Sequence, residues 1–464
     1  MSFSTLTFVF LFLPLSLILY VFTPKKYKNL VLVLESILFY LWGNGQWIYL
    51  LWFTILLNYV LGLLIEKSTK PKRLLLIGVL TNILILCYYK YNIHIIDFLN
   101  IQFGFNLTGT KGFLPLGISF FIFQEISYLV DVYRKDAKAC KSFLDFGAHI
   151  SHFAKVTQGP IVKYKEIESS LKKRTTSFNQ IYFGMRRFAL GLSKKVLLAN
   201  PIGEKTDLIF AQVGQGIDTP TAWLGMICYT MQLFFDFSGY SDMALGIGQA
   251  MGFKWIENFN YPYIATDISD FWSRWHISLS TFFREYVYFP LGGNRKGKFR
   301  TYFNQFVVFF TSGIWHGETL NFLFWGLYHW IFSSLRILLR NFKWYLKTPK
   351  IIKRVITFFV VSLGWVLFRS ANMEEAGRYY GYLFTNNYTG TPLFEFSHFF
   401  SSDLIFFLVI AFIFSTPIMR EIYTKYKKNK VFLWIWDGSI LILFVLSIIF
   451  MVSGSYSPFI YFQF

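Results

Sequence analysis

Long apolar runs separated by short basic loops organise this chain. The runs are Thr5–Phe22, Val31–Trp42, Ile48–Ile65, Leu74–Tyr89, Leu114–Tyr133, Ile181–Ala199, Trp223–Ala250, Phe303–Thr311, Leu320–Leu335, Ile351–Phe368, Leu404–Phe414 and Val431–Met451. Runs of this kind predict helices that cross a hydrocarbon layer, because a helix satisfies all its backbone hydrogen bonds internally. The basic residues gather at Pro24–Lys28, Glu66–Arg73, Arg134–Lys141, Lys163–Arg174, Arg295–Arg300, Arg340–Arg354 and Tyr423–Lys430. Basic loops stay on the cytoplasmic side, and each returning run meets one of these clusters. The pattern predicts an all-α polytopic integral membrane protein with about eleven or twelve crossings. Both termini are then extracytoplasmic, and Thr5–Phe22, which lacks a basic leader and a cleavage site, is a retained first span.

Two stretches break the alternation. Phe143–Val162 lies between two basic loops and carries His149, His152 and Lys155, so it enters and leaves on one side as a re-entrant or interfacial segment. Trp255–Arg300 is aromatic yet holds Glu257, Asp267, Asp270, Arg274, His276, Arg284 and Glu285. It is too charged for lipid and too aromatic for a solvated loop, which fits the cytoplasm-side lining of an aqueous cavity. Arg369–Ser402 reads as the longest external loop. The chain is expected to be one membrane domain over 1–464, with N-terminal spans in 1–142, a core in 143–340 and C-terminal spans and tail in 341–464.

Composition agrees. Hydrophobic residues make up 54% of the 464, mean hydropathy is +0.43, and Phe occurs 57 times. A soluble chain of this length would carry a more charged surface. The net charge of +20 comes from loops interleaved with spans, which argues against a nucleic-acid partner and for the lipid bilayer. Cys87, Cys140 and Cys228 are widely spaced and form neither a disulfide framework nor a metal motif. With no His-x-x-x-His or Cys-x-x-Cys spacing, no metal site is expected.

Chemistry concentrates in polar islands inside apolar surroundings, where an ionisable group is expensive and faces a cavity. In Ser312-Gly313-Ile314-Trp315-His316-Gly317-Glu318 the glycines around His316 predict a turn or a close backbone approach. His316 is the first candidate catalytic residue, with Trp315 beside it as a substrate contact. The second island, Asp270–Ser280, holds His276 next to Trp275. If it were one helix, Trp272, His276 and Leu279 would share a face, and Asp270 would pair with Arg274. The third, Gln232–Asp242, offers Asp236 and Asp242 to orient imidazoles or bind substrate, or forms a hydrogen-bonded kink. Arg295, Lys296 and Lys298 form a basic rim suited to phosphates. His329, beside Trp330, reads as an interfacial anchor. The aromatic tail Ser457–Phe464 either anchors at the interface or folds back to present Tyr461, whose phenol can carry an acyl group as an ester.

Several of these segments recur in order with Leu114–Phe121, Phe234–Ala244, Asn258–Tyr263, Phe271–Ser280, Tyr288–Asn294, Ser312–Gly317 and Pro458–Phe464. Together they resemble the membrane-bound O-acyltransferase (MBOAT) family in its bacterial branch, which holds alginate and peptidoglycan acetylases and, more distantly, teichoic-acid D-alanylation proteins. Ser273 departs from the basic residue more frequent in the alginate type. The resemblance implies a helical bundle around a central funnel or tunnel in the cytoplasmic membrane. It implies His316 as catalytic histidine and His276 as its partner. No bound cofactor is implied; acetyl-CoA is the donor, and an extracytoplasmic SGNH-type acetyltransferase or esterase of the PatB, AlgJ or AlgX kind completes transfer. The expected activity is O-acetylation of a cell-envelope polysaccharide, peptidoglycan first and alginate or another exopolysaccharide second. A transporter or flippase, with His and Asp as a proton relay, is the non-enzyme alternative.

Overall fold

A computed structural model describes residues 2–107, 114–385 and 392–454. All regular structure among them is helical. Five helices are long and apolar enough to span a membrane by length and composition: Gly45–Lys67, Pro71–Phe103, Leu320–Leu339, Lys350–Arg369 and Lys430–Ser453. A sixth would be the pair Ser402–Phe414 and Ile418–Tyr426, bent by 59° at its break. Within Thr5–Phe22, expected as the first span, the apolar helix Phe8–Phe22 is shorter than that class. Thr219–Ala250 has 32 residues and reaches farther than a bilayer core, yet its polar island keeps it out of the apolar class. The protein is a multi-pass membrane protein.

The chain divides into two compact units. One runs to Phe188 and takes in Met243–Ile256; the other holds Ala189–Asp242 and continues from Glu257.

In the first unit, Ile118–Arg134 is buried along nearly its whole length against the Ile48–Lys67 and Pro71–Phe103 helices. Glycines permit the close approach. A Cβ on Gly62 would fall 2.4 Å from the Tyr128 hydroxyl, and one on Gly78 would fall 2.6 Å from Leu129. Between the two apolar helices, Asn58 Nδ2 donates to Asn82 Oδ1 at 3.1 Å and Asn82 Nδ2 donates back to Asn58 Oδ1 at 2.7 Å. Reciprocal amide bonds of this kind supply association where lipid offers no hydrophobic driving force.

The expected re-entrant stretch is a helix, Phe143–Ser151, followed by irregular backbone through Lys163 that is buried throughout. Ser142 caps the helix by accepting from Asp145 N at 3.2 Å. Irregular backbone inside a membrane protein survives only when enclosed. Here Ser36 Oγ accepts from Phe153 N at 3.0 Å, Lys155 donates to Gln124 Oε1, and His152 packs edge-on to Trp255 with centroids 4.8 Å apart.

The second unit is an aromatic core. Trp325, Trp365, Tyr229 and Tyr379 are each fully buried within it. Gly297–His316 and Leu320–Leu339 form a tight helical hairpin. A Cβ on Gly313 would come within 2.6 Å of Phe322 O, and one on Gly326 within 2.4 Å of Phe309 O. Small residues let these backbones meet.

Candidate active site

His316 is the last residue of its helix, as the flanking glycines suggested. Gly317 is extended (φ −168°, ψ 170°), and a Cβ there would strike the Phe322 ring at 2.1 Å. The helix therefore stops against Phe322, leaving the His316 side chain 5% exposed at a broken helix end. Its ring lies 4.5 Å from Trp315, 4.8 Å from Trp325 and 5.0 Å from Phe368, the last two edge to face. Aromatic walls hold an imidazole in one plane and exclude water from it.

The second island is not one helix. Asp267 starts Ile268–Trp272, accepting from Ser269 N and Asp270 N, both at 2.9 Å. The chain then turns, and His276 adopts a left-handed conformation (φ 44°) at the start of Ile277–Phe283. The expected shared face of Trp272, His276 and Leu279 is thus replaced by a kinked turn. Backbone pairing enforces it: Asn260 N donates to Arg274 O and Ile277 N to Asn258 O, each at 2.9 Å. Asn258 Oδ1 accepts from Ser278 N at 3.1 Å and lies 3.3 Å from His276 Nδ1. A histidine held at positive φ costs about 1–2 kcal/mol and aims its ring where a helix would not. The His276 ring packs edge-on to Phe237 at 4.7 Å. Burial pushes this imidazole down to about 3, so it is neutral at ordinary pH. Asp270 does pair with Arg274, at 2.6 Å. Burial raises the Asp270 carboxyl, but Arg274 and the bonds from Thr266 outweigh it and hold it below its ordinary range.

An unbroken run of ring contacts links the two histidines. It passes from Phe237 to Phe259 (5.0 Å), Trp275 (5.1 Å), Trp365 (4.9 Å) and Trp325 (6.0 Å), which meets His316. Trp275 stands in the middle of this wall and Trp315 at its end, where a substrate contact was expected. A cavity of about 200 Å³ borders the wall, lined by Trp272, Ser280, Arg284, Tyr288, Phe309 and Ser312 among others. Ser312 lies one helical turn before His316, and Arg284 and Tyr288 belong to the segment leading to the basic loop.

The two aspartates of the third island each meet a lysine. Asp236 meets the buried Lys195 ammonium at 2.5 Å, and Asp242 meets Lys194 at 2.6 Å. Both lysines begin a π-helical turn, Lys194–Ala199. Arg295 and Lys296 are exposed on a loop turned by Gly292, Gly293 and Gly297, all at positive φ, and Lys298 is exposed in the first turn of the helix that follows. Asn304 Nδ2 fastens that loop by donating to Gly293 O at 2.8 Å. Tyr461 lies outside the described residues.

His329 was read as an interfacial anchor and is instead completely buried in the site. Its ring sits 4.9 Å from Trp325 and 5.0 Å from Trp272, both edge-on. Trp325 is therefore clasped between His316 and His329. Trp330 beside it is half-buried, and its Nε1 donates to Tyr302 O at 3.0 Å. The signal in the sequence was the spacing of Trp325 and His329, four apart on one helix face.

The family profile described as MBOAT, membrane-bound O-acyltransferase family, matches residues 38–373. The chain belongs to the membrane-bound O-acyltransferase family. It is 39% identical to the probable alginate O-acetylase AlgI of Pseudomonas putida, with all of both chains covered. It is 35% identical to the peptidoglycan O-acetyltransferase of Helicobacter pylori over 81% of this chain and 78% of that one. A teichoic acid D-alanyltransferase of Bacillus subtilis is 31% identical over 54% of this chain and 68% of its own. Membership makes the protein an acyltransferase, an enzyme class in place of the transporter reading.

Proposed function

We propose that the protein takes acetyl from cytoplasmic acetyl-CoA and passes it through the cytoplasmic membrane for O-acetylation of an envelope polysaccharide. The observation that carries this reading is His316, buried at a broken helix end in an aromatic wall, one helical turn from Ser312 in the lining of the 200 Å³ cavity. A cavity of that size takes the narrow end of a pantetheine arm, while the phosphates remain outside, toward Arg295, Lys296 and Lys298. The imidazole accepts the proton of an incoming hydroxyl as its oxygen bonds to the thioester carbonyl carbon. The carbon–sulfur bond then breaks, and the departing thiolate takes the proton from His316. General base catalysis of this kind lowers the barrier by about 3–5 kcal/mol. His276, neutral and fixed by Asn258, positions the reacting groups, with Trp275 and Trp315 holding the acyl chain. The ion-paired Asp236 and Asp242 stiffen the substrate-binding side of the core.

The attacking hydroxyl is the Tyr461 phenol, which hands acetyl as an ester to an extracytoplasmic SGNH-type partner; both termini then face outward. Two acceptors are read. Peptidoglycan is the expectation from the sequence, and an alginate-type exopolysaccharide is favoured by the likeness to AlgI that spans both chains. A deletion strain complemented with wild type or Tyr461→Phe, with acetyl esters measured on both polymers, tests the whole reading. Wild type should restore esters on one polymer and the variant on neither. Normal esterification by Tyr461→Phe would remove the phenol from the path and leave His316 to serve the acceptor directly. Release of coenzyme A from acetyl-CoA by the purified protein tests the donor separately.

A further inference from the structure

We infer that the elbow joining the Leu320–Leu339 and Lys350–Arg369 helices is a binding site for the phosphate of an anionic glycerophospholipid. This inference is independent of the acetyl-transfer reading. A cavity of about 150 Å³ opens at the elbow, lined by Asp267, Arg336, Leu339, Trp344, Tyr345 and Lys353 among others. Both flanking helices are long and apolar enough to span, so the elbow sits where a span ends and headgroups begin. The short helix Lys343–Lys347 lies across it with Trp344 62% exposed, an interfacial aromatic with its ring free for the bilayer.

The charge is one-sided. Residues 336–354 contain Arg336, Arg340, Lys343, Lys347, Lys350, Lys353 and Arg354 and no acid. The one carboxylate in the cavity wall is Asp267, and it is already engaged. It caps the Ile268–Trp272 helix and meets Arg336 Nε at 2.8 Å and Arg340 at 3.9 Å. Lys353 keeps its ammonium 4.7 Å over the Tyr345 ring, at the cavity rather than out in water. An anion entering here meets Lys353 in the lining and, beside it, Arg340, which approaches Asp267 only to 3.9 Å and is 56% exposed, while Arg336 stays paired with Asp267.

Polarity also changes along the cavity in the sense a lipid requires. Away from the elbow the lining becomes Leu335, Ile356 and Val360, and Leu338 and Ile352 are exposed on the flanks. A headgroup phosphate at the basic end would leave its acyl chains along apolar helix surface. A soluble nucleotide or free phosphate would use the basic end and nothing of the rest. Basic pockets between spans at the membrane surface are suited to anionic headgroups.

The test uses the purified full-length protein and native mass spectrometry with phosphatidylglycerol or phosphatidylcholine. The expected result is selective retention of one phosphatidylglycerol, lost in Arg340→Gln/Lys353→Gln with an unchanged melting temperature in detergent. Each basic residue near such a surface contributes roughly fivefold, so affinity should fall about thirtyfold for the pair. Arg336 is left intact because it holds Asp267. Equal retention of the two lipids, or undiminished phosphatidylglycerol binding by the double variant, overturns the proposal. So does displacement of the lipid by 3′,5′-ADP at the same residues, which would make the elbow a nucleotide site. Should the variant melt early, a salt titration of wild type decides: selectivity for phosphatidylglycerol that disappears at high ionic strength supports the site, and selectivity that persists overturns it.

Discussion

Each of the two compact units interrupts its helices at buried histidines, and the two interruptions are built differently. In the first, the irregular stretch after Ser151 is plugged by backbone. A Cβ on Gly117 would lie 1.9 Å from Val156 O, and one on Gly159 would lie 2.4 Å from Lys155 Cα. In the second, the turn at His276 and the helix end at His316 are faced by rings, and Ser280 and Ser312, each about one turn from a histidine, line a cavity. Burying irregular backbone behind glycine contacts makes a rigid joint. Facing it with aromatics leaves a channel that a thin substrate can enter without disturbing backbone hydrogen bonds. This difference is why the proposed function rests on the histidines of the second unit and assigns those of the first to structure.

Replacing His316 should separate the two kinds most sharply. His316→Gln keeps the volume and loses the base, so acetyl-ester formation should fall by a hundred- to ten-thousand-fold while insertion and yield persist. Acetyl esters in a complemented deletion strain measure this; near-normal esterification would remove His316 from the chemistry. Gly117→Ala is the counterpart in the first unit. It forces an alanine to φ 72° and drives a methyl into the Val156 carbonyl, a loss of about 2–4 kcal/mol. The expected outcome is a lower melting temperature, with normal turnover in whatever protein remains folded. If turnover per folded molecule also fell a hundredfold, the rigid joint would belong to the site.

Sequence alone made the all-helical membrane class legible, because hydropathy and basic loops report the solvent of each segment directly. It also located His316 and the break beside it, since a glycine on either side of an intramembrane histidine has few uses. What stayed hidden depended on side chains meeting across distant segments. The turn at His276 is set by Asn258 and Asn260, eighteen and sixteen residues upstream, and local spacing favoured a helix there. His329 looked interfacial beside Trp330, and only the packing of Trp272 and Trp325 over its ring shows it inside. The lysine partners of Asp242 and Asp236, Lys194 and Lys195, lie on another helix and could not be read from local spacing.

His276→Asn comes next in expected size. The asparagine tolerates the left-handed backbone at this position, so the turn survives while the ring is lost. Turnover should drop roughly ten- to hundredfold, less than for the base itself, with the KM for acetyl-CoA within about twofold. A rise in KM at constant kcat would move His276 from the reacting end of the cavity to its donor end.

The smallest effect belongs to the rim. Arg295 and Lys296 on the glycine-turned loop and Lys298 at the start of the next helix are exposed, so water and salt screen each charge. An exposed charge contributes up to about 1 kcal/mol, so Lys296→Glu should raise the KM for acetyl-CoA about two- to fivefold and leave kcat in place. Reversing all three should multiply those effects, and the increase should shrink as ionic strength rises, since screening acts on the same attraction. Pantetheine thioesters without the nucleotide carry no phosphates for the rim to attract, so they should be turned over equally by wild type and variant. If the triple reversal slows the truncated donor as much as acetyl-CoA, the loop acts through the shape of the cavity mouth. The second unit would then depend on backbone geometry at its entrance as the first does at its joint, and the contrast between them would narrow to the aromatic wall around His316.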